Sequence, residues 1–160
     1  MKFPRLMRFA VPALLLTGAL ACKGSNDVTS SSGALARLQL DAPTSAVSGQ
    51  AFNVNASALN VGVSGIHNGV VQVTLPAPLA VSSVTPSAGT TAVFSNAGGG
   101  SVTWNLNTLD SNTQSTLRIG TIGTLPPGGP AQTVTIHASM TADGINPGDA
   151  TASRDVQIMP

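Results

Sequence analysis

Apolar and polar residues alternate with a period of two along most of the chain. Between residues 133 and 140, for example, Val134, Ile136, Ala138 and Met140 alternate with threonine, histidine and serine. This pattern predicts a β-strand that buries one face and exposes the other to water. The same alternation marks residues 37–41, 52–58, 71–75, 102–106, 117–119 and 150–158, and further strands are predicted near residues 80–85 and 90–95. No segment after residue 21 has the 3.6-residue period of a helix.

Short turn sequences separate these segments. They are rich in glycine, proline, asparagine and aspartate, and comprise residues 48–49, 60–62, 68–69, 86–89, 98–100, 126–130 and 143–144. Tight turns between consecutive half-buried strands predict antiparallel pairing. Two such sheets must pack face to face to bury their apolar sides, so the sequence predicts an all-β antiparallel sandwich of about eight or nine strands.

The inward-facing rows are rich in valine and alanine, and several contain one large side chain. We expect these large side chains in a core about 10 Å thick; they are Phe52, Phe94, Trp104 and Met140. Arg154 departs from the pattern because it lies in phase with the apolar residues Ala152 and Val156. We therefore expect a bulge that redirects Arg154, or an exposed strand end.

The first 21 residues have the features of a secretory signal peptide. Three basic residues precede an apolar run, and the stretch from Phe9 to Ala21 has 13 residues, too few for the ~20 that span a bilayer as a helix. A short apolar run between basic and small residues is typical of an export signal. The three basic residues are Lys2, Arg5 and Arg8.

The end of this segment, Ala19-Leu20-Ala21-Cys22, resembles the bacterial lipobox. The resemblance implies that the Cys22 thiol carries diacylglycerol and that its amine is the mature N-terminus. Cys22 is the only cysteine, so an internal disulfide is excluded. Lys23 follows, and the absence of aspartate there resembles lipoproteins sorted to an outer membrane. The alternative is an ordinary signal peptide that is cleaved elsewhere.

The remaining chain is predicted to contain a tether and one domain. Residues 22–34 are rich in serine and glycine, which indicates a flexible tether with a reach of roughly 20 Å. Residues 35–160 are predicted to form the sandwich. Without residues 1–21, four basic residues face six aspartates, a net charge of −2. Because no basic patch is present, nucleic acid is not an expected partner.

Three segments resemble the conserved repeat domain of bacterial surface proteins, a large immunoglobulin-like family of mostly unassigned function. Residues 52–62 (FNVNASALNVG) resemble its strand with an asparagine–x–glycine end, and residues 73–86 resemble its leucine–proline corner. Residues 102–117 resemble its most specific stretch, in which a tryptophan strand leads to a turn and the next strand. The core signature implied by the resemblance is Trp104, Leu106, Leu109, Leu75 and Pro76.

The chain departs from that family at three positions. Phe52 replaces the family's aromatic hydroxyl, Pro78 stands at the corner glycine, and Asn112 replaces the turn glycine. Asparagine tolerates the left-handed conformation that such a turn needs. The resemblance covers about residues 38–158 and implies an immunoglobulin-like fold. A second resemblance, to the cohesin-type sandwiches of extracellular assemblies, rests on the spacing after Gly49.

Candidate chemical groups are few. The chain has two histidines, His67 in a predicted turn and His137 on a polar strand face, and it has no glutamate. A catalytic triad, a zinc site and a paired-carboxylate site each need more groups than these. Gly98–Gly100 precedes no helix that would receive a phosphate, so we expect a hairpin there.

The loop 143–149 is the one candidate for a metal, because Asp143, Asn146 and Asp149 are oxygen ligands suited to calcium. Its spacing differs from known calcium loops, and a hairpin capped by its own Asp and Asn side chains is the alternative. A sugar-binding platform needs exposed aromatic faces. The chain has no tyrosine, and Phe52, Phe94 and Trp104 are predicted in the core.

The sequence therefore predicts a lipid-anchored, non-enzymatic protein of a bacterial cell envelope, and Lys23 after Cys22 favours the outer membrane as its location. It would act as a structural or adhesive module that contacts another envelope or surface protein, through a strand edge or end loops. The alternative is a small-ligand module for carbohydrate or calcium. No cofactor is expected.

Overall fold

The computed structural model describes residues 28–29 and 35–160, so the predicted signal peptide, Cys22 and most of the predicted tether lie outside the described residues. Eleven strands occur in the described part of the chain. They are β1 (Val28–Thr29), β2 (Leu35–Asp41), β3 (Ser45–Val47), β4 (Ala51–Asn60), β5 (Ile66–Pro76), β6 (Leu79–Pro86), β7 (Thr91–Ser95), β8 (Gly99–Leu109), β9 (Gln114–Gly123), β10 (Gln132–Ala142) and β11 (Ile145–Met159).

The strands form two sheets that pack face to face. The five-stranded sheet has the order β1-β2-β4-β9-β6, and the six-stranded sheet has the order β3-β11-β10-β5-β8-β7. The predicted all-β sandwich is therefore confirmed, and its nine strands of five or more residues correspond to the nine predicted segments, seven from alternation and two near residues 80–85 and 90–95. The two additional strands are short: β1 lies inside the predicted tether, and β3 pairs with β11 in parallel, the one exception to antiparallel pairing among the described strands.

The core lies between the sheets and is built from the inward-facing rows. Trp104 is fully buried at its centre, and Leu75, Leu106 and Leu109 are buried with it, whereas Pro76 is half-buried. The indole Nε1–H of Trp104 donates to the Thr90 hydroxyl at 3.0 Å, so its one polar atom is satisfied. Met140 is buried and Phe52 is half-buried at the core margin.

The prediction that Phe94 belongs to the core is wrong, because 44% of its surface is exposed. Phe94 does lie in the inward row, opposite Val102 of β8. However, β7 is the last strand of its sheet, so the ring projects at the margin of the sandwich, where little of the opposite sheet remains to cover it.

The turn predicted at Asn68-Gly69 is also wrong, and His67 lies within β5 rather than in a turn. Asn68 has a positive φ of 54°, and the register with β8 shifts on both sides of Gly69, which identifies a β-bulge. A Cβ at Gly69 would approach Leu106 Cβ to 3.2 Å and Met140 Cε to 3.3 Å. Glycine is therefore needed there for close packing inside a strand.

Arg154 stays in register opposite Ile136, so neither predicted exception, a bulge or a strand end, applies at this position. Its guanidinium is half-buried and donates from Nε and Nη2 to the carbonyl oxygen of Ala42, at 3.1 and 3.0 Å. Ala42 directly follows β2. The Arg154 side chain thus closes the side of the sandwich between β2 and β11. Its hydrogen bonds to the backbone compensate for the hydration that the guanidinium loses in this inward-facing position.

Candidate functional site

The outer face of the six-stranded sheet carries almost only uncharged hydrogen-bonding side chains. Residues paired across five strands line up in two rows, which we call the polar face. One row is Ser153, His137, Thr74, Ser101 and Ser95, and the other is Thr151, Ser139, Gln72, Thr103 and Val93. None of these side chains is buried. Because neighbouring strands lie about 4.8 Å apart, the rows present closely spaced hydroxyl and amide groups.

Hydrogen bonds fix part of the polar face. The Gln72 side chain donates from Nε2 to Ser101 Oγ at 2.9 Å and accepts at Oε1 from Thr103 Oγ1 at 3.0 Å. An open groove of about 1120 Å³ runs over the face and reaches the side of the sandwich, where Leu40 and Arg154 line it. This groove is lined by residues of several strands, and it can accept many weak hydrogen bonds at once.

The two histidines lie apart from each other. His137 is exposed on the polar face, between Thr74 and Ser153 in the register. His67 is exposed near one end of the sandwich, where its Nδ1 lies 3.4 Å from Thr108 Oγ1. Neither histidine has a hydrogen bond to a carboxylate in the described residues, so the structure does not bring together the parts of a triad.

The predicted loop 143–149 is a two-residue turn, Asp143-Gly144, followed by the start of β11, and its carboxylates hold hydrogen bonds within the protein. Asp143 Oδ2 accepts from Asn68 Nδ2 at 3.0 Å, and Asp149 Oδ2 accepts from both the backbone N–H and the side-chain amide of Asn146 at 3.1 Å. The Asp143 hydrogen bond ties the turn to β5, and the Asp149 hydrogen bonds stay within the first residues of β11. Among the described residues, no group of three or more histidine, cysteine, aspartate or glutamate side chains gathers to hold a metal ion.

Asn60 begins the asparagine–x–glycine segment noted in the sequence, but its burial and its three hydrogen bonds were not predicted. It is fully buried, and its Nδ2 donates to the carbonyl oxygens of Ser64 at 2.8 Å and Leu109 at 2.9 Å. Its Oδ1 accepts from the Gly62 N–H at 2.9 Å. The asparagine–x–glycine segment therefore fastens the β4–β5 loop to the β8–β9 turn, and the loop holds Val63 with 88% of its surface exposed.

Asn96 caps one open strand edge. Its Oδ1 accepts from the N–H of Val81 and its Nδ2 donates to the carbonyl of Val81, both at 2.8 Å. The side chain thus imitates a neighbouring strand on the outer side of β6, next to the bulge between Val81 and Ser83. Two signals in the sequence point to Asn60, the asparagine–x–glycine motif and its place in the inward phase of Val54, whereas no sequence signal indicates the role of Asn96.

Comparisons with known proteins give the class of fold. No family model matches the chain, and no curated protein matches it in sequence. None of the described residues forms a helix long and apolar enough to cross a membrane. The architecture is that of an immunoglobulin-like β-sandwich, which the structural similarities below support.

Several solved domains share this fold at low sequence identity. The CARDB domain of a Pyrococcus furiosus protein, solved in complex with di-metal ions, is 14% identical with a TM-score of 0.56, over 79% of this chain and 90% of that chain. A cohesin module of a Clostridium perfringens family 33 glycoside hydrolase is 11% identical with a TM-score of 0.56, over 76% of this chain and 95% of that chain. A non-cellulosomal cohesin from Archaeoglobus fulgidus is 14% identical with a TM-score of 0.51, over 77% and 91%.

Proposed function

We propose that this protein is a lipid-anchored, non-enzymatic module of a bacterial cell envelope that holds another envelope or surface protein by contact. The observation that supports it best is the polar face, a broad surface of exposed hydroxyl and amide groups with an adjoining groove. Such a surface binds by many modest hydrogen bonds, each worth about 1 kcal/mol, and needs no reactive group.

The residue chemistry agrees with contact rather than catalysis. The histidines His67 and His137 are separate, and both carboxylates already accept hydrogen bonds, Asp143 from Asn68 of β5 and Asp149 from Asn146. The chain shares its fold with a CARDB domain and two cohesins, a likeness that agrees with the cohesin-type resemblance in its sequence.

Membrane attachment through Cys22 remains part of the proposal. Its support is the lipobox-like Ala19-Leu20-Ala21-Cys22 in the sequence, and the proposed location is the outer membrane. Precursor carrying Cys22→Ser is expected to leave the membrane fraction, while wild type stays in it. Equal membrane association of the two proteins would contradict the anchor.

The binding surface is tested separately by site-specific photo-crosslinking in intact cells. A crosslinking amino acid at Thr74 lies on the polar face, and one at Asn55 lies at an exposed position of β4 in the other sheet. We expect one recurrent protein partner from Thr74 and none from Asn55, with loss of the product when Thr103 is also changed to glutamate. Equal labelling from both positions would refute the assignment of the face, and exclusive labelling of polysaccharide would favour the carbohydrate alternative.

A further inference from the structure

The strand β7 is an uncovered edge of the six-stranded sheet. It pairs with β8 on one side, and no described residue pairs with its other side. Its sequence, Thr91-Ala92-Val93-Phe94-Ser95, contains no charge and no proline. Two large apolar side chains are exposed on it, Val93 at 64% and Phe94 at 44%. An edge of this kind presents free backbone groups and readily accepts another strand.

Two other edge strands of the sandwich carry features that hinder strand addition. The outer side of β6 is capped by Asn96 at Val81. The strand β3 at the opposite edge of the six-stranded sheet has only three residues and follows Pro43. Short strands, prolines and side chains that occupy the backbone are general means of preventing strand addition. None of these protects β7.

The side chains of β7 fit a second copy of the same strand. We propose that β7 pairs antiparallel with β7 of another molecule, with Val93 on the two-fold axis. In this register Val93 faces Val93, Phe94 faces Ala92, and Thr91 faces Ser95. Residues directly opposite project to the same side of a sheet. Each large Phe94 ring therefore lies beside a small Ala92, and the outer positions pair two hydroxyls.

The electrostatics of this side also favour a like partner. Residues 68–109, which include most of β5 and all of β6, β7 and β8, contain no lysine, arginine, histidine, aspartate or glutamate. Two copies can meet there without like charges opposing each other. The pair would join two six-stranded sheets into one, and the polar face would continue from one molecule to the other.

The contact is small, which sets the conditions for detecting it. A pair of five-residue strands buries less than the ~1,200 Å² at the low end of stable interfaces. We expect dissociation in dilute solution and pairing at high protein concentration. The inference goes beyond the proposed function, since its partner is this chain itself and it does not require the lipid on Cys22.

Cysteine crosslinking tests the register directly, using the full chain with Cys22→Ser so that each introduced thiol is the only one. Opposite residues in an antiparallel pair have Cα atoms about 4.5–5.5 Å apart, which suits a disulfide. Val93→Cys is therefore expected to form a disulfide-linked dimer. Thr91→Cys alone is not, because the two copies of residue 91 would lie about 14 Å apart. A mixture of Thr91→Cys and Ser95→Cys should crosslink as a heterodimer.

Two comparisons decide the outcome. Thr85→Cys is the matched control, an exposed position on the capped edge strand β6. Sedimentation at millimolar concentration gives a second readout. We expect Val93→Lys to lower the association constant at least tenfold and Thr85→Lys to leave it unchanged. Val93 is exposed, so lysine there leaves the fold intact. The proposal is overturned if Val93→Cys crosslinks no better than Thr85→Cys, or if Thr91→Cys alone crosslinks as well as Val93→Cys.

Discussion

Replacing Asn60 with alanine should destabilise the sandwich strongly. The change removes three hydrogen bonds and leaves the Gly62 N–H and the Leu109 carbonyl without their partner in buried surroundings. A buried polar group without a partner costs about 1–3 kcal/mol, while the third partner, the Ser64 carbonyl, is only partly buried and can bind water. We therefore expect a loss of about 3 kcal/mol in the free energy of unfolding.

Urea unfolding followed by the fluorescence of Trp104, the single tryptophan, measures this loss. The midpoint should fall while the slope of free energy against urea stays constant, as expected when stability alone changes. For a domain of this size the melting temperature should fall by roughly 10–15 °C.

Asn53→Ala is the matched control on the same strand. Asn53 is exposed, and its side chain accepts one hydrogen bond from Arg118 Nε at 2.9 Å. Its replacement should change stability by less than about 0.5 kcal/mol. A loss below about 1 kcal/mol for Asn60→Ala, or equal losses for the two variants, would show that Asn60 does not fasten the loops as inferred.

Three further predictions concern the core and the end loop. Thr121→Val should stabilise the protein by about 1 kcal/mol in urea unfolding, because the fully buried Thr121 hydroxyl has no hydrogen-bond partner in the described residues; a loss of stability would mean that this hydroxyl has a partner. Trp104 should show blue-shifted fluorescence that iodide quenches poorly, and Trp104→Ala should cost about 3–5 kcal/mol; ready quenching of the native protein would place the ring in water. Thermal melts with millimolar calcium and with chelator should coincide, because the carboxylates of Asp143 and Asp149 accept hydrogen bonds internally. Bound calcium at a hundredfold excess over Kd would add about 2.7 kcal/mol, so a rise of several degrees that Asp143→Asn removes would identify an ion site.

Strand positions were predictable because alternation is imposed by the pleat itself. In β10 the buried residues are Val134, Ile136, Ala138 and Met140, the row that the sequence marks as inward-facing. Asn112 has a φ of 58°, in agreement with the left-handed turn that was expected of it. Local physics of this kind needs no knowledge of which strands are neighbours.

Polar residues in inward rows were harder to interpret. Asn60 follows Val54, Ala56 and Ala58 in phase, which signals an inward side chain, but a turn signal at the same place favoured a loop. The partners that make its burial tolerable are remote: the Leu109 carbonyl lies 49 residues away in sequence. Phase alone gives the direction of a side chain, and only the tertiary structure supplies its partner.

Sheet order accounts for the error at Phe94 and for the features of the candidate site. Phase correctly assigns Phe94 to the inward row, yet exposure depends on β7 being the last strand, which follows from long-range pairing. The polar face likewise depends on register, since its rows combine residues as distant as Thr74 and Ser153. A single sequence specifies each strand's two faces but not which strands lie side by side.

The directions of β2 and β11 determine how the sandwich would respond to a pulling force. The start of β2 lies beside the Asn60 loop, where Val61 N–H donates to Leu35 O, and β11 ends beside Val47 at the opposite end. A force applied between Leu35 and Met159 therefore acts along both strands. Their interstrand hydrogen bonds run perpendicular to that force, so they are loaded together in shear rather than broken one after another. Resistance to force is governed by the unfolding rate, and we expect this geometry to slow unfolding under load.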